Sequence, residues 1–151
     1  MNINAVMDYL NKSLEELESM SFRRPEDSSS DLVKRIYIIR QKKLSKYSVE
    51  DLRLLIGQMQ GLDYLIPLAL AHLEDNPFIE GDYYEGDLLK NVLECNCEFW
   101  NGHLEEAKRM KDVVRNAGAL IDNIELVPGI KIQLAELMQQ YLLCISKRID
   151  S

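Results

Sequence analysis

The segment from Leu62 to Leu73, LDYLIPLALAHL, is apolar almost all the way round a helix. A helix with apolar residues on every side has to be surrounded by the rest of the chain, so this segment predicts a central buried helix. Pro67 fits that helix only within its first turn, where a missing N–H does little harm. Asn76-Pro77 is expected to end the helix.

Helical spacing also dominates the flanking sequence. Ser13-Leu14-Glu15-Glu16 matches a capping box, in which the Ser13 hydroxyl and the Glu16 carboxylate satisfy free backbone N–H groups. Ser48-Val49-Glu50-Asp51 is a second helix-start signal, in which Ser48 caps and Asp51 occupies the third helical position. In the last predicted helix, six residues are expected to be buried: Leu134, Leu137, Met138, Tyr141, Leu142 and Ile145.

No stretch alternates between apolar and polar residues at period two, so strands are not expected. The sequence therefore predicts an all-α fold, a single-domain bundle of six or seven helices with antiparallel neighbours. The domain spans residues 1–151, with residues 1–12 poorly ordered and loops at residues 19–30 and 76–86.

The most acidic stretch of the chain runs from Leu73 to Glu98. It holds eight acidic residues and one basic residue, Lys90. Its local charge of −7 therefore equals the formal net charge of the whole protein. Within it, GDYYEG predicts an exposed, non-helical connection, and Asp87 is expected to cap the next helix. Concentrated negative charge with two tyrosines is typical of a surface that binds a basic partner.

Eight residues of this stretch are candidate partner-binding residues: Glu74, Asp75, Glu80, Asp82, Tyr83, Tyr84, Glu85 and Asp87. The alternative is that GDYYEG is a structural loop, with Asp87 capping a helix and one tyrosine packed on the core. Both interpretations remain open at the level of sequence.

The bulk composition limits the classes of function. Of the 151 residues, 46% are hydrophobic and 28% are charged, as in ordinary soluble domains. A net charge of −7 gives no general attraction to nucleic acid or to an anionic membrane surface. No apolar run approaches the roughly 20 residues of a membrane span, and the N-terminus does not resemble a secretory signal. A cytoplasmic location is predicted.

The cysteines and acids do not predict a metal site. Cys95, Cys97 and Cys144 form an odd number, which fits a reducing compartment and ordinary thiols. Cys95 and Cys97 would point about 200° apart on a helix, and no second Cys or His pair lies nearby. Asp82, Glu85 and Asp87 lack the spacing of a calcium loop.

Catalytic patterns are missing as well. The two histidines, His72 and His103, lack the Glu-x-x-His pattern of di-iron bundles. The chain contains no P-loop, no glycine fingerprint for dinucleotides and no G-x-S-x-G motif. We therefore predict a protein that is not an enzyme and that needs no metal or cofactor.

Two long segments carry a resemblance to a known family. They are LSKYSVEDLRLLIGQMQGLDYLIPLALAHLEDNP, residues 44–77, and EGDYYEGDLLKNVL, residues 80–93. With SLEELE (residues 13–18) and Phe99-Trp100, they resemble a helical family of bacterial immunity proteins from contact-dependent growth inhibition (CDI) systems. The resemblance covers Ser13 to Trp100.

This resemblance implies a cytoplasmic bacterial protein that binds and neutralises the C-terminal toxin domain of a CDI effector. Such toxins are commonly nucleases, whose substrate-binding surfaces are basic. The resemblance identifies neither the toxin nor the oligomeric state. The alternative function is that of an acidic helical adaptor or regulatory subunit with an unrelated basic protein partner.

Overall fold

The structure of the protein is a computed structural model that describes residues 8–149. Eight α-helices are labelled here in chain order: α1 (Leu14–Glu18), α2 (Asp31–Arg40), α3 (Val49–Gly57), α4 (Leu62–Asp75), α5 (Asp87–Leu93), α6 (Cys97–Gly102), α7 (Leu104–Leu120) and α8 (Pro128–Ile149). Residues 8–10 are also helical, and short 3-10 turns lie at Leu44–Lys46 and Ile121–Asn123.

The predicted all-α fold is confirmed, and no strand occurs within residues 8–149. The number of helices in the described residues is larger than the predicted six or seven, because residues 8–10 and the six-residue α6 are also helical. Of the segment predicted to be poorly ordered, residues 1–12, the first seven residues lie outside the part of the chain that the structure describes. Within residues 8–12, Tyr9 packs against Tyr64.

The predicted capping box at Ser13 and the predicted helix start at Ser48 are both confirmed, and Ser48 with Asp51 forms a second capping box. Ser13 Oγ accepts a hydrogen bond from Glu16 N–H at 3.2 Å, and Glu16 Oε1 accepts one from Ser13 N–H at 3.3 Å. The corresponding distances for Ser48 and Asp51 are 3.1 and 3.0 Å. Local side-chain chemistry therefore sets the starts of α1 and α3.

Helix α4 is the central helix of the bundle and packs against α3, α5 and α7. Its residues Leu65, Ile66, Ala69, Leu70 and Leu73 are buried. The prediction that Pro67 lies in the first turn is wrong, because the helix begins at Leu62 and continues past it. Burial on several sides holds α4 together despite the backbone hydrogen bond that proline cannot donate.

Helix α8 closes the other side of the core, against α5, α6 and α7. The predicted burial of Leu134, Met138, Tyr141 and Ile145 is confirmed, and Leu137 is half-buried. Leu142 is 37% exposed, so its predicted burial is wrong. Leu142 directly follows the buried Tyr141, and adjacent residues on a helix point in different directions.

A disulfide joins the first residue of α6, Cys97, to Cys144 of α8 across a Cα–Cα distance of 5.9 Å. The prediction of ordinary thiols is wrong for these two residues and holds for the buried Cys95, so the cysteines do not support the predicted reducing compartment. The pairing depends on the packing of α6 against α8, which places residues 47 positions apart next to each other. Nothing in the local sequence signals such a contact.

Candidate functional site

The acidic connection between α4 and α5, residues 76–86, is held from inside by Asp87. This residue is 2% exposed. Its Oδ1 accepts a hydrogen bond from Gly81 N–H at 2.7 Å, and its Oδ2 accepts from the N–H groups of Tyr83 (3.1 Å) and Tyr84 (3.4 Å). A buried carboxylate with three backbone donors fixes the path of the loop.

The prediction that Asp87 caps α5 is wrong. Gly86 occupies the N-cap position with φ +93°, a conformation that favours glycine, and Asp87 is the first residue of the helix. The side chain of Asp87 turns back to the loop that precedes it. It therefore orders the connection, not the helix start.

Glu50 of α3 is a second internal anchor and is 7% exposed. Its Oε1 accepts a hydrogen bond from Asp82 N–H at 3.0 Å, and both of its oxygens pair with Arg53, at 2.6 and 2.7 Å. Arg35 of α2 lies 3.6 Å from Oε2. Hydrogen bonds from Arg53 lower the pKa of Glu50, aided by the Asp82 N–H and the charges of both arginines and opposed by burial.

The two anchors leave space only for glycine at position 81. A Cβ atom added to Gly81 would lie 2.9 Å from Glu50 Oε1 and 3.0 Å from Asp87 Oδ2. The loop closes where Gly86 N–H donates to the Phe78 carbonyl at 3.1 Å. Dense packing of backbone against two carboxylates therefore defines one loop shape.

The outer side of the loop carries free acidic groups. Glu80, Asp82 and Glu85 are exposed, and no ion pair to them occurs within the described residues. The ring of Tyr83 is 65% exposed and lies over the Arg53 guanidinium, 4.4 Å from ring centroid to Cζ. Tyr84 is half-buried, and burial raises the pKa of its hydroxyl.

The two remaining candidate residues lie in the last turn of α4. Glu74 pairs with Arg109 of α7 through both oxygens, at 2.5 and 3.1 Å, and this pairing lowers the pKa of Glu74. Asp75 is exposed at the end of α4. The structure thus groups Glu80, Asp82, Tyr83 and Glu85 on one outward surface, which we call the acidic loop surface.

A family model described as CDI immunity proteins matches residues 16–110, more than half of the chain. The protein belongs to the CDI immunity proteins. Comparison with curated proteins and with solved structures gave no significant match. The family-matched region of this immunity protein includes the acidic loop surface and both of its anchors, Glu50 and Asp87, and it ends within α7.

One segment that contributes to the site in this immunity protein, residues 125–127, lies beyond the family-matched region. Glu125, Leu126 and Val127, in the connection before α8, line an open cleft of about 230 Å³ together with Glu80, Tyr83, Tyr84 and Glu85. Sequence reasoning missed Glu125 because tertiary packing alone brings it to the loop. It also missed Glu50 and Arg53, whose spacing of three on one helix was a usable signal.

Within the part of the chain that the structure describes, no three His, Cys, Asp or Glu side chains converge as a metal site. Over the same residues, no helix combines the length and the apolar character needed to cross a bilayer.

Proposed function

We propose that this immunity protein binds the C-terminal toxin domain of a CDI effector and neutralises it through a non-covalent complex. It acts in the bacterial cytoplasm and catalyses no reaction. Family membership supports the class of partner, and the acidic loop surface supports the chemistry of contact. The partner is a basic domain, most simply a nuclease.

The observation that carries this proposal is the division of the loop into a fixed inner side and a free outer side. Asp87 and Glu50 bind loop N–H groups from below, while Glu80, Asp82 and Glu85 point their charges outward. A loop that is already ordered loses little conformational entropy on binding, so more of the contact energy appears as affinity. The structural and the binding interpretations of GDYYEG are thus compatible, because they use different atoms.

A nuclease binds phosphates with lysine and arginine side chains, and outward carboxylates are electrostatic substitutes for phosphates. Tyr83 adds a large, rigid ring beside these charges, of the type enriched at interface hot spots. Asp75 and Glu125 extend the negative field at the edges. Glu74, Tyr84 and Asp87 act indirectly, since they are ion-paired, half-buried and buried respectively.

The test is a calorimetric titration with the cognate toxin domain, to be sought in the gene that precedes the immunity gene. The variant Glu80→Lys/Asp82→Lys/Glu85→Lys reverses the outward charges. The matched control reverses three exposed acids of α6 and α7: Glu98→Lys/Glu105→Lys/Asp112→Lys. Both variants have the same net charge, so a difference between them reports position.

We expect the loop variant to bind at least about 100-fold more weakly than wild type and the control to bind within about threefold, since close charge pairs carry several kcal/mol. Circular dichroism verifies the fold of each. A folded loop variant with wild-type affinity contradicts the assignment of the loop. Wild-type protein that neither binds nor protects against the toxin contradicts the proposed function and favours the adaptor alternative.

A further inference from the structure

A groove with net positive charge, opposite in sign to the acidic loop surface, lies between α2 and the connection that precedes it. The groove has a volume of about 450 Å³, and its walls include Arg24 and Pro25 on one side and Lys34, Tyr37 and Ile38 on the other. We call it the α2 groove. It lies within the family-matched residues but includes none of the acidic candidate residues.

The apolar part of the α2 groove is formed by Ile38, which is 60% exposed, with Pro25 on the opposite wall. Val33, also on α2, is 48% exposed and lines a neighbouring cleft. The structure places the exposed aliphatic side chain of Ile38 beside the cations Arg24 and Lys34, an arrangement that is complementary to a partner with an apolar and an acidic group.

Two cations border the groove. Lys34 Nζ donates a 2.6 Å hydrogen bond to the Asp27 carbonyl oxygen, which holds the ammonium group at the wall and leaves two of its donors. Arg24 is exposed and makes no ion pair within the described residues. With Asp27 as the one acid in the lining, the groove carries net positive charge.

We propose that the α2 groove binds an acidic and aliphatic segment of the same toxin domain, in which a carboxylate lies beside an aliphatic side chain. This inference rests on the proposed function. The carboxylate pairs with Arg24 and Lys34, and the aliphatic side chain packs on Ile38. Charge complementarity identifies the segment, because an aliphatic segment without a carboxylate leaves both cations unpaired.

The position of α2 connects the groove to the acidic loop surface. Arg35 of α2 lies 3.6 Å from Glu50 Oε2, while Glu50 Oε1 accepts the Asp82 N–H of the loop at 3.0 Å. One buried carboxylate therefore contacts both elements. A partner that spans the acidic loop surface and the α2 groove meets negative charge at the first and positive charge at the second. Only one orientation of the partner is then favourable, because the reversed orientation places like charges next to each other.

The test uses the same toxin domain and the variant Arg24→Glu/Lys34→Glu. The control is Lys108→Glu/Arg115→Glu, which reverses two exposed cations of α7 outside the groove lining and produces the same net charge. A third variant, Ile38→Ser, removes the exposed aliphatic contact. We expect the groove variant to bind at least about 10-fold more weakly, Ile38→Ser about fivefold more weakly, and the control within about twofold.

The outcomes separate this inference from the proposed function. Strong binding by wild type together with equal binding by the groove variant overturns the groove assignment alone. Wild-type protein that does not bind the toxin overturns both. Sedimentation of the immunity protein without toxin tests a second copy as the occupant: a dimer that Arg24→Glu/Lys34→Glu dissociates also overturns the assignment.

Discussion

Asp87 Oδ1 accepts a 2.7 Å hydrogen bond from the backbone N–H of Gly81, six residues earlier in the chain. The other oxygen of the same carboxylate accepts from Tyr83 and Tyr84. The first residue of α5 therefore determines the shape of the loop before it. The order of the acidic loop surface depends on an interior residue that a partner does not reach.

Replacing Asp87 by alanine leaves three backbone N–H groups without their acceptor in a buried site. We expect the free energy of unfolding to fall by about 3 kcal/mol, because buried unsatisfied donors cost about 1–3 kcal/mol each and the loop relaxes in part. Urea denaturation at pH 7 measures this change. The control Asp82→Ala, at an exposed carboxylate, changes stability by less than about 0.5 kcal/mol. Equal stabilities of the two variants contradict the anchoring role.

A methyl group at position 81 tests the packing between the two anchors. In Gly81→Ala the new Cβ lies within about 3 Å of carboxylate oxygens of Glu50 and Asp87, so the loop has to shift. We expect a loss of about 1–3 kcal/mol in the free energy of unfolding, measured by urea denaturation. In Gly118→Ala the Cβ meets no atom within 4 Å, and helix propensity predicts a gain of about 0.5–1 kcal/mol. A neutral Gly81→Ala variant contradicts this account of the loop.

Features set by neighbouring residues were predictable from the sequence. The helix starts at Ser13 and Ser48 are confirmed because each depends on contacts within one turn of helix. The burial of α4 follows from apolar residues on every side, and its end at Asp75 follows from Asn76-Pro77.

Features set by distant residues were not predictable. The acidic loop was visible as a run of charge, but its internal anchor Glu50 comes from another helix, 32 residues before Asp82. Aspartate is a residue type that commonly caps helices, so the sequence favours a cap at Asp87. Only the tertiary path of the loop directs this side chain to the backbone N–H groups that precede it. The Cys97–Cys144 disulfide likewise requires the packing of α6 against α8.

The acid sensitivity of the fold follows from Glu50, whose folded-state pKa lies below its ordinary value of 4.5. A depressed folded pKa means that the unfolded chain binds the proton more tightly. The stabilisation is therefore fully present above about pH 4.5 and is lost as pH falls through the folded pKa. The stability difference between wild type and Glu50→Gln is expected to be largest near pH 7 and to shrink as pH is lowered to 3. Urea denaturation across this range measures it.

Glu74→Gln is the control for this pH dependence. The pKa of Glu74 is also lowered, by Arg109, but that pair is exposed to solvent and contributes less than about 1 kcal/mol. The difference in free energy of unfolding between Glu74→Gln and wild type is expected to stay small at all pH values. A pH-independent difference for Glu50→Gln contradicts the anchoring of the loop by an ionised Glu50.

Reduction of the Cys97–Cys144 disulfide is expected to lower Tm without loss of helix. The bond closes a loop between residues 47 positions apart, which corresponds to about 2–4 kcal/mol and a Tm decrease of roughly 5–15 °C. Buried Leu134 and Tyr141 keep α8 in place. Circular dichroism melting with and without dithiothreitol tests this, and Cys144→Ser reproduces the reduced value.

Thiol titration in denaturant gives the chemical control: one reactive thiol in the oxidised protein and three after reduction. Burial raises the pKa of Cys95 to about 12, so this thiol reacts slowly in the native state near neutral pH. Three reactive thiols in non-reduced protein contradict the pairing.

The adjacent tyrosines separate binding from stability. Tyr83 is 65% exposed with its ring over Arg53, whereas Tyr84 is half-buried. We expect Tyr83→Ala to reduce toxin affinity by at least about tenfold while lowering the free energy of unfolding by less than about 1 kcal/mol. Tyr84→Ala removes the half-buried part of a large ring, so it lowers the free energy of unfolding by about 1–2 kcal/mol, more than Tyr83→Ala does. Titration calorimetry and urea denaturation of both variants provide the comparison. If Tyr83→Ala binds the toxin as wild type does, the partner does not contact this ring, and the charges of Glu80, Asp82 and Glu85 act without it.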